Sequence, residues 1–222
     1  MARFVVIGLG KFGGHVARRL YEKGHEVIGI DSDKERVQDL RDYATQAVVA
    51  DSSDVATLRS LGVADADAVV VSLGERMDAS ILTALYLREM GVKRIVAKAV
   101  SPDHGKILDL IAHTTVVLPE RDTAERIANA LAAPSILEYL PLGVGFSLLE
   151  VAAPPAFLGR SLADLQVRKR YNVLVVAVKN GDRLELVPGA AYVIQPADVL
   201  VMIGRDEDLE AVTRVVEAGD GE

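Results

Sequence analysis

Three glycines in the stretch Gly8-Leu9-Gly10-Lys11-Phe12-Gly13 follow an apolar run and open an amphipathic one. This is G-x-G-x-x-G between a strand and a helix, and the chemistry it offers is the holding of a phosphate. The first glycine permits a tight turn, the second admits a phosphate to the backbone, and the third lets helix pack on strand. The phosphate then meets the free N–H groups and positive dipole end of the helix. Asp31 ends the second strand, 18 residues beyond Gly13. A carboxylate at that point accepts hydrogen bonds from both ribose hydroxyls and repels a 2′-phosphate. The competing reading makes the glycines a plain turn and Asp31 a cap on the helix that comes next. For a lone hexapeptide that reading is the better one. Strand, helix and acid together favour an adenosine nucleotide without a 2′-phosphate.

Further candidates lie on the same edge. Phe12 sits inside the hexapeptide and Ser32 next to Asp31. Asp51 and Ser52 end the third strand, where either an adenine edge or the cap of the next helix would use them. Ser72-Leu73-Gly74 ends the fourth strand at the carboxyl edge, where open α/β sheets bind their ligands.

Residues that would carry out a reaction are scarce. His15 and His25 flank the first helix, and His104 and His113 bracket a later one without a partner pattern. No spacing of His, Asp and Glu suits zinc, and no G-x-S-x-G turn is present. With no cysteine in the chain, thiol nucleophiles, disulfides and iron–sulfur sites are excluded. The residues describe binding without turnover: a sensor.

The elements that must position these residues read clearly over the first half. Strand-like runs at Phe4–Ile7, Glu26–Ile30, Ala47–Ala50, Ala68–Val71, Arg94–Ala97 and Thr115–Leu118 alternate with helical stretches at Phe12–Lys23, Lys34–Tyr43, Asp54–Leu61, Asp78–Met90 and Pro102–Ala112. The strands are almost continuously apolar, so both faces of a parallel sheet should be buried. Gly24, Gly62 and Gly91 stand at helix stops, Asp54 and Ser101 at helix caps. From Arg121 a longer helix is expected, carrying Ile127, Leu131, Ile136 and Leu137, with Pro134 bending or ending it.

The texture then changes at Tyr139–Gly145, and strand-like runs recur at Ser147–Val151, Asn172–Lys179, Arg183–Leu186 and Val199–Ile203. Asn180-Gly181-Asp182 is a hairpin signal, and short helices are expected at Ser161–Val167 and Asp206–Glu217. The fold class is therefore α/β, a Rossmann-like doubly wound parallel sheet with a second, smaller α+β domain. The expected division is 1–139 for nucleotide binding and 140–222 for the smaller domain.

Half of the 222 residues are apolar, enough for a sizeable core. A formal net charge of −7 and a pI near 5.2 argue against non-specific binding to nucleic acid or an anionic membrane. No apolar run approaches the ~18 residues of a membrane span, and Met1-Ala2-Arg3 leaves no room for a signal peptide. The expectation is a soluble cytoplasmic subunit.

Several stretches resemble a known family. "VIGLGKFGGHVARRLYEKGHEVIGID", "ADSSDVATLRSLGV", "ASILTALYLREMGV", "IVAKAVSPDHGKIL" and "VLPERDTAERIA" are similar to the N-terminal RCK (regulator of K⁺ conductance) domain, TrkA-N, of Ktr/Trk-type potassium-uptake regulators. "LADLQVRKRYNVLVVAVKNGD" and "LVPGAAYVIQPADVLVMIG" are similar to the RCK C-terminal domain, TrkA-C. One copy of each resembles the Ktr-type soluble subunit. The resemblance implies dimers assembling into an octameric ring under a potassium-translocating membrane subunit, which gives the protein a peripheral place on the inner face of the membrane. It implies ATP, ADP or NAD(H) as the regulatory ligand. Gly8, Gly10, Lys11 and Gly13 would face its phosphates, Asp31 the ribose and Asp51 the base, with Lys98 neutralising charge. Glu120 would lie near the γ-phosphate with a divalent cation such as Mg or Ca. The family usually carries arginine where Lys11 stands, and lysine lacks the bidentate fork. In the C-terminal domain the resemblance implies a cyclic di-AMP site using Arg168 and Pro188. The readings set against it are an NAD-dependent oxidoreductase, which lacks acid–base residues here, and a DNA-binding repressor, which lacks a helix-turn-helix before Gly8.

Overall fold

A computed structural model describes residues 1–74, 76–132 and 136–219. Two compact units, Met1–Glu120 and Arg121–Glu222, make up the chain.

The first unit alternates β1 (Arg3–Ile7), α1 (Lys11–Glu22), β2 (Glu26–Asp31), α2 (Lys34–Leu40), β3 (Gln46–Val49), α3 (Val55–Ser60), β4 (Ala68–Val71), α4 (Met77–Glu89), β5 (Ile95–Lys98), α5 (Pro102–Ala112) and β6 (Thr115–Val117). All six strands are parallel, in the order β3-β2-β1-β4-β5-β6. The chain moves outward from β1 in one direction, then returns to lay β4 on its other side. That reversal opens a crevice at the carboxyl ends of β1 and β4, where Gly8 and Ser72 lie.

Burial obeys the two-residue period of a strand. Val5, Ile7, Ile28, Ile30, Val69 and Val71 point into a core shared with Leu87 of α4 and Leu108 of α5. Val6, Val27 and Val70 point the other way, against Ala17 of α1 and Val37 and Leu40 of α2. Both faces are covered, as continuous apolar strands require. The expected punctuation is present as well. Asp54 accepts hydrogen bonds from the N–H groups of Ala56 and Thr57, and Ser101 from that of His104. Gly24, Gly62 and Gly91 have φ of +80°, +66° and +81° at the helix stops.

The second unit holds α6 (Pro119–Ala132, its first two residues in the first unit), β7 (Ile136–Gly143), β8 (Phe146–Ala152), α7 (Leu162–Leu165), α8 (Val167–Tyr171), β9 (Leu174–Asn180), β10 (Arg183–Leu186), β11 (Val199–Arg205) and α9 (Asp206–Gly219). Its sheet is antiparallel, ordered β10-β9-β11-β8-β7. Leu149, Val151, Leu200 and Met202 of the sheet meet Phe157, Leu165, Leu209 and Val212 in its core.

The structure corrects three expectations. Ile136 and Leu137 belong to strand β7 rather than to the helix from Arg121, because β7 pairs with β8, Ile136 facing Val151, along the sheet edge. The joint expected at Tyr139–Gly145 is instead a hairpin, so the compact units part at Glu120 and Arg121. The single helix expected at Ser161–Val167 is two, divided where Gln166 takes a left-handed φ of 47°. Pro134 lies outside the described residues. The Asn180-Gly181-Asp182 signal does form a tight turn, with Asn180 paired to Arg183.

Candidate nucleotide-binding site

The turn after β1 is shaped by close backbone approach. Gly8 has φ of +92°, and a Cβ there would stand 2.1 Å from the carbonyl oxygen of Ser72. A Cβ on Gly13 would stand 1.9 Å from the carbonyl oxygen of Gly8, so helix and turn touch where the third glycine permits it. Gly10 caps α1 with extended backbone, and a Cβ there would have only the Arg36 Nη1, at 4.0 Å, within reach, which leaves the room a phosphate needs.

Asp31 is buried at the end of β2, and it holds the loop. One carboxylate oxygen accepts the Leu9 N–H at 2.7 Å, and the other accepts the Asp33 N–H at 2.9 Å. The helix after it is capped by Asp33, whose side chain accepts from the Glu35 N–H. Asp31 is therefore no helix cap. A cavity of about 570 Å³ opens beside it, lined by Gly8, Gly10, Asp31, Ser32, Asp33, Arg36, Leu73, Gly74 and Arg76. That volume lies in the range of small-molecule sites.

Expected residues from three strand ends thus converge: the glycine turn after β1, Asp31 and Ser32 after β2, Leu73 and Gly74 after β4. Ser72 is buried behind them, its N–H given to the Ile7 carbonyl. Arg36 and Arg76 escaped the sequence reading. The clue to Arg36 was its three-residue spacing from Asp33, and to Arg76 its place two residues after Gly74.

Asp51 and Ser52 do not line this cavity. The Asp51 carboxylate accepts the N–H and the hydroxyl of Ser53, both at 2.9 Å. Those two hydrogen bonds, with the charge of Arg76 adding to them, hold it below the usual carboxylate range. Ser52 is buried, and its carbonyl accepts from Thr83 of α4.

Across the crevice, Lys98 at the end of β5 is mostly buried and forms an ion pair with Glu120 in the first turn of α6. Its ammonium lies 6.0 Å from the centre of the Phe12 ring. The hydrogen bond from Lys98 holds Glu120 below the usual carboxylate range. Lys98, Glu120 and Phe12 thus form a second cluster, on the β5 side of the glycine turn. Lys11 is exposed and lines a separate recess of about 390 Å³ between α1 and α2, with His15, Arg18, Arg36 and Asp39. The Glu120 carboxylate is engaged by Lys98, and among the described residues no three His, Asp or Glu side chains converge.

Comparison with known proteins decides the family. Residues 4–119 match the TrkA-N domain, and residues 146–216 match the TrkA-C domain. The chain is 41% identical over 206 residues to the Ktr system potassium uptake protein C of Bacillus subtilis, covering 93% of each. It belongs to the Ktr/TrkA family of potassium-uptake regulators. The Ktr system potassium uptake protein A of Bacillus subtilis is 35% identical over 94% of both chains. Among solved structures the GsuK channel shares the fold, with a TM-score of 0.70, 20% identity and 97% of this chain covered. A structure of the GsuK channel bound to NAD has a TM-score of 0.55, 23% identity and 98% coverage of this chain. This chain spans about two fifths of the GsuK chain, 39% in both comparisons.

The second unit of this Ktr-family regulator has a recess of its own. Arg168 and Lys169 of α8 line about 360 Å³ together with Pro188, Val173 and Leu174. Arg168 and Pro188, twenty positions apart in sequence, are thus brought to one site. No helix among the described residues is long and apolar enough to cross a membrane.

Proposed function

We propose that this Ktr-family regulator binds an adenosine nucleotide at the crevice between β1 and β4, leaves it chemically unchanged, and passes its presence to a potassium-translocating membrane subunit. The observation that carries this reading is the glycine turn and the buried Asp31 sharing one cavity at the reversal of strand order. The ribose hydroxyls meet Asp31, and the phosphates run past Gly10 toward Lys98. A relative in fold, the GsuK channel, is known bound to NAD; ATP, ADP and NAD(H) are the ligands assigned to this chain. The unit Met1–Glu120 is the sensing domain in this reading, and the unit Arg121–Glu222 a second regulatory domain.

A ligand shifts an equilibrium only by the difference in its affinity for two states. The Lys98–Glu120 pair supplies such a difference. A γ-phosphate brings added negative charge that competes with Glu120 for the Lys98 ammonium, and ADP brings less. The protein acts as dimers assembled into an octameric ring on the cytoplasmic side of its membrane partner. The recess of Arg168 and Pro188 takes cyclic di-AMP.

The test is calorimetric titration of the purified protein with ATP, ADP and NAD. Saturable binding is expected for the wild type, and its loss in Asp31→Ala, with a melting curve showing that the variant, less stable for want of the Leu9 and Asp33 hydrogen bonds, is still folded at the titration temperature. Absence of binding to all three nucleotides, or steady turnover of any one, would overturn the reading.

A further inference from the structure

A nucleotide in the crevice, the reading on which this inference rests, must lay its base against some wall. Among the described residues, the cavity beside Asp31 has no aromatic side chain in its lining. A purine presents two π faces, and glycine backbone gives them little to pack against. The planar groups available are two guanidiniums, Arg36 of α2 and Arg76 just before α4. A guanidinium stacks on such a face by cation–π attraction and loses little hydration in doing so.

Arg36 is held in a way that suits this. Its Nη1 lies 3.5 Å from Asp31 Oδ2, and its Nε lies 3.4 Å from Asp33 Oδ2. Partners of a guanidinium engage its edges, because its donors lie in its plane, so two carboxylates fix the plane and leave its faces free. About half of the side chain, 53%, remains exposed. An ordinary i,i+3 helix pair accounts for the contact with Asp33. It does not account for the contact with Asp31, the residue that receives the ribose. Arg76 reaches the same cavity from the β4 side and lies close enough to Asp51 for its charge to act there.

We propose that Arg36 and Arg76 clamp the nucleotide base between their guanidinium planes, so that stacking area makes the site prefer purines to pyrimidines. The Asp31–Arg36 pair then ties ribose recognition to base recognition, because the carboxylate that receives the sugar also aims the arginine.

The test compares dissociation constants for ATP and UTP in the wild type and in the charge-conserving variants Arg36→Lys, Arg76→Lys and the double. The wild type is expected to prefer ATP by about tenfold or more, the scale of one base–side-chain stack. In the double variant the ratio should fall to about twofold or less through weaker ATP binding, since lysine keeps the charge and lacks the plane. Melting curves show whether each variant is folded, and the single variants decide the matter if the double is not. An ATP-to-UTP ratio unchanged in the folded variants, or a wild type that binds both equally, overturns the clamp. A wild type that binds neither overturns the nucleotide reading and the clamp with it, a result distinct from tight but unselective binding.

Discussion

At the scale of single residues, the site depends on what is missing from a side chain. Gly13 is the sharpest case, since a methyl group there would meet the Gly8 carbonyl oxygen at 1.9 Å, backbone against backbone. Gly13→Ala is expected to cost about 2–4 kcal/mol, read as a lower urea midpoint with an unchanged m-value. A midpoint within error of the wild type would show that the turn is looser than this. The three glycines and Asp31 were legible in sequence because each is required by local geometry at a fixed spacing. Arg36 and Arg76 were not. A long exposed side chain can serve any of several neighbours, and only the folded chain shows which wall it lines. Lys11 makes the same point from the other direction: it stands inside the motif, yet its side chain lines the recess between α1 and α2.

At the scale of elements, the parallel unit read well and the antiparallel one less so. The central strands β1, β2 and β4 are buried on both faces and therefore announce themselves as apolar runs. Strand β7 does not, because it is an edge strand containing Pro141 and ending at Gly143. An edge tolerates a proline that would break a central strand, so the stretch has the texture of a linker. Elements of this unit are tied together by polar groups that sequence pattern cannot reveal. Buried Asp198, just ahead of β11, accepts from Asn180 of β9 at 2.7 Å, from the Tyr192 hydroxyl at 2.9 Å and from the Gln195 N–H at 2.9 Å. Burial, reinforced by the Asp198 hydrogen bond, pushes the Tyr192 hydroxyl up to about 12. A phenol raised above its unfolded value of roughly 10 stabilises the fold fully below that pH, and loses that contribution as pH rises through the folded value. Stability should therefore decline between about pH 10 and about pH 12 in the wild type. Tyr192→Phe should flatten that part of the profile while being less stable at neutral pH. Parallel wild-type and variant profiles across this range would refute the assignment.

At the scale of the whole molecule, each of the two units carries a candidate ligand recess, and the two differ in chemistry. One is built on a glycine turn and an acid, the other on Arg168, Lys169 and Pro188. Separate recesses predict separable ligands. Arg168→Ala should lose cyclic di-AMP binding and keep ATP, and Asp31→Ala should do the reverse. Failure of the wild type to bind cyclic di-AMP saturably would remove the second ligand from the account. The strand order has a further consequence, for synthesis. Phe4 of β1 pairs with Ala68 of β4, sixty-four positions later, while β2 already covers its other side. A chain emerging from the ribosome must carry β1 with one bare edge until Val71 has been made, at a pace of about 5–20 residues per second. For those seconds the central strand is open to wrong partners, and crowded polysomes bearing this message are where helper chaperones would matter most.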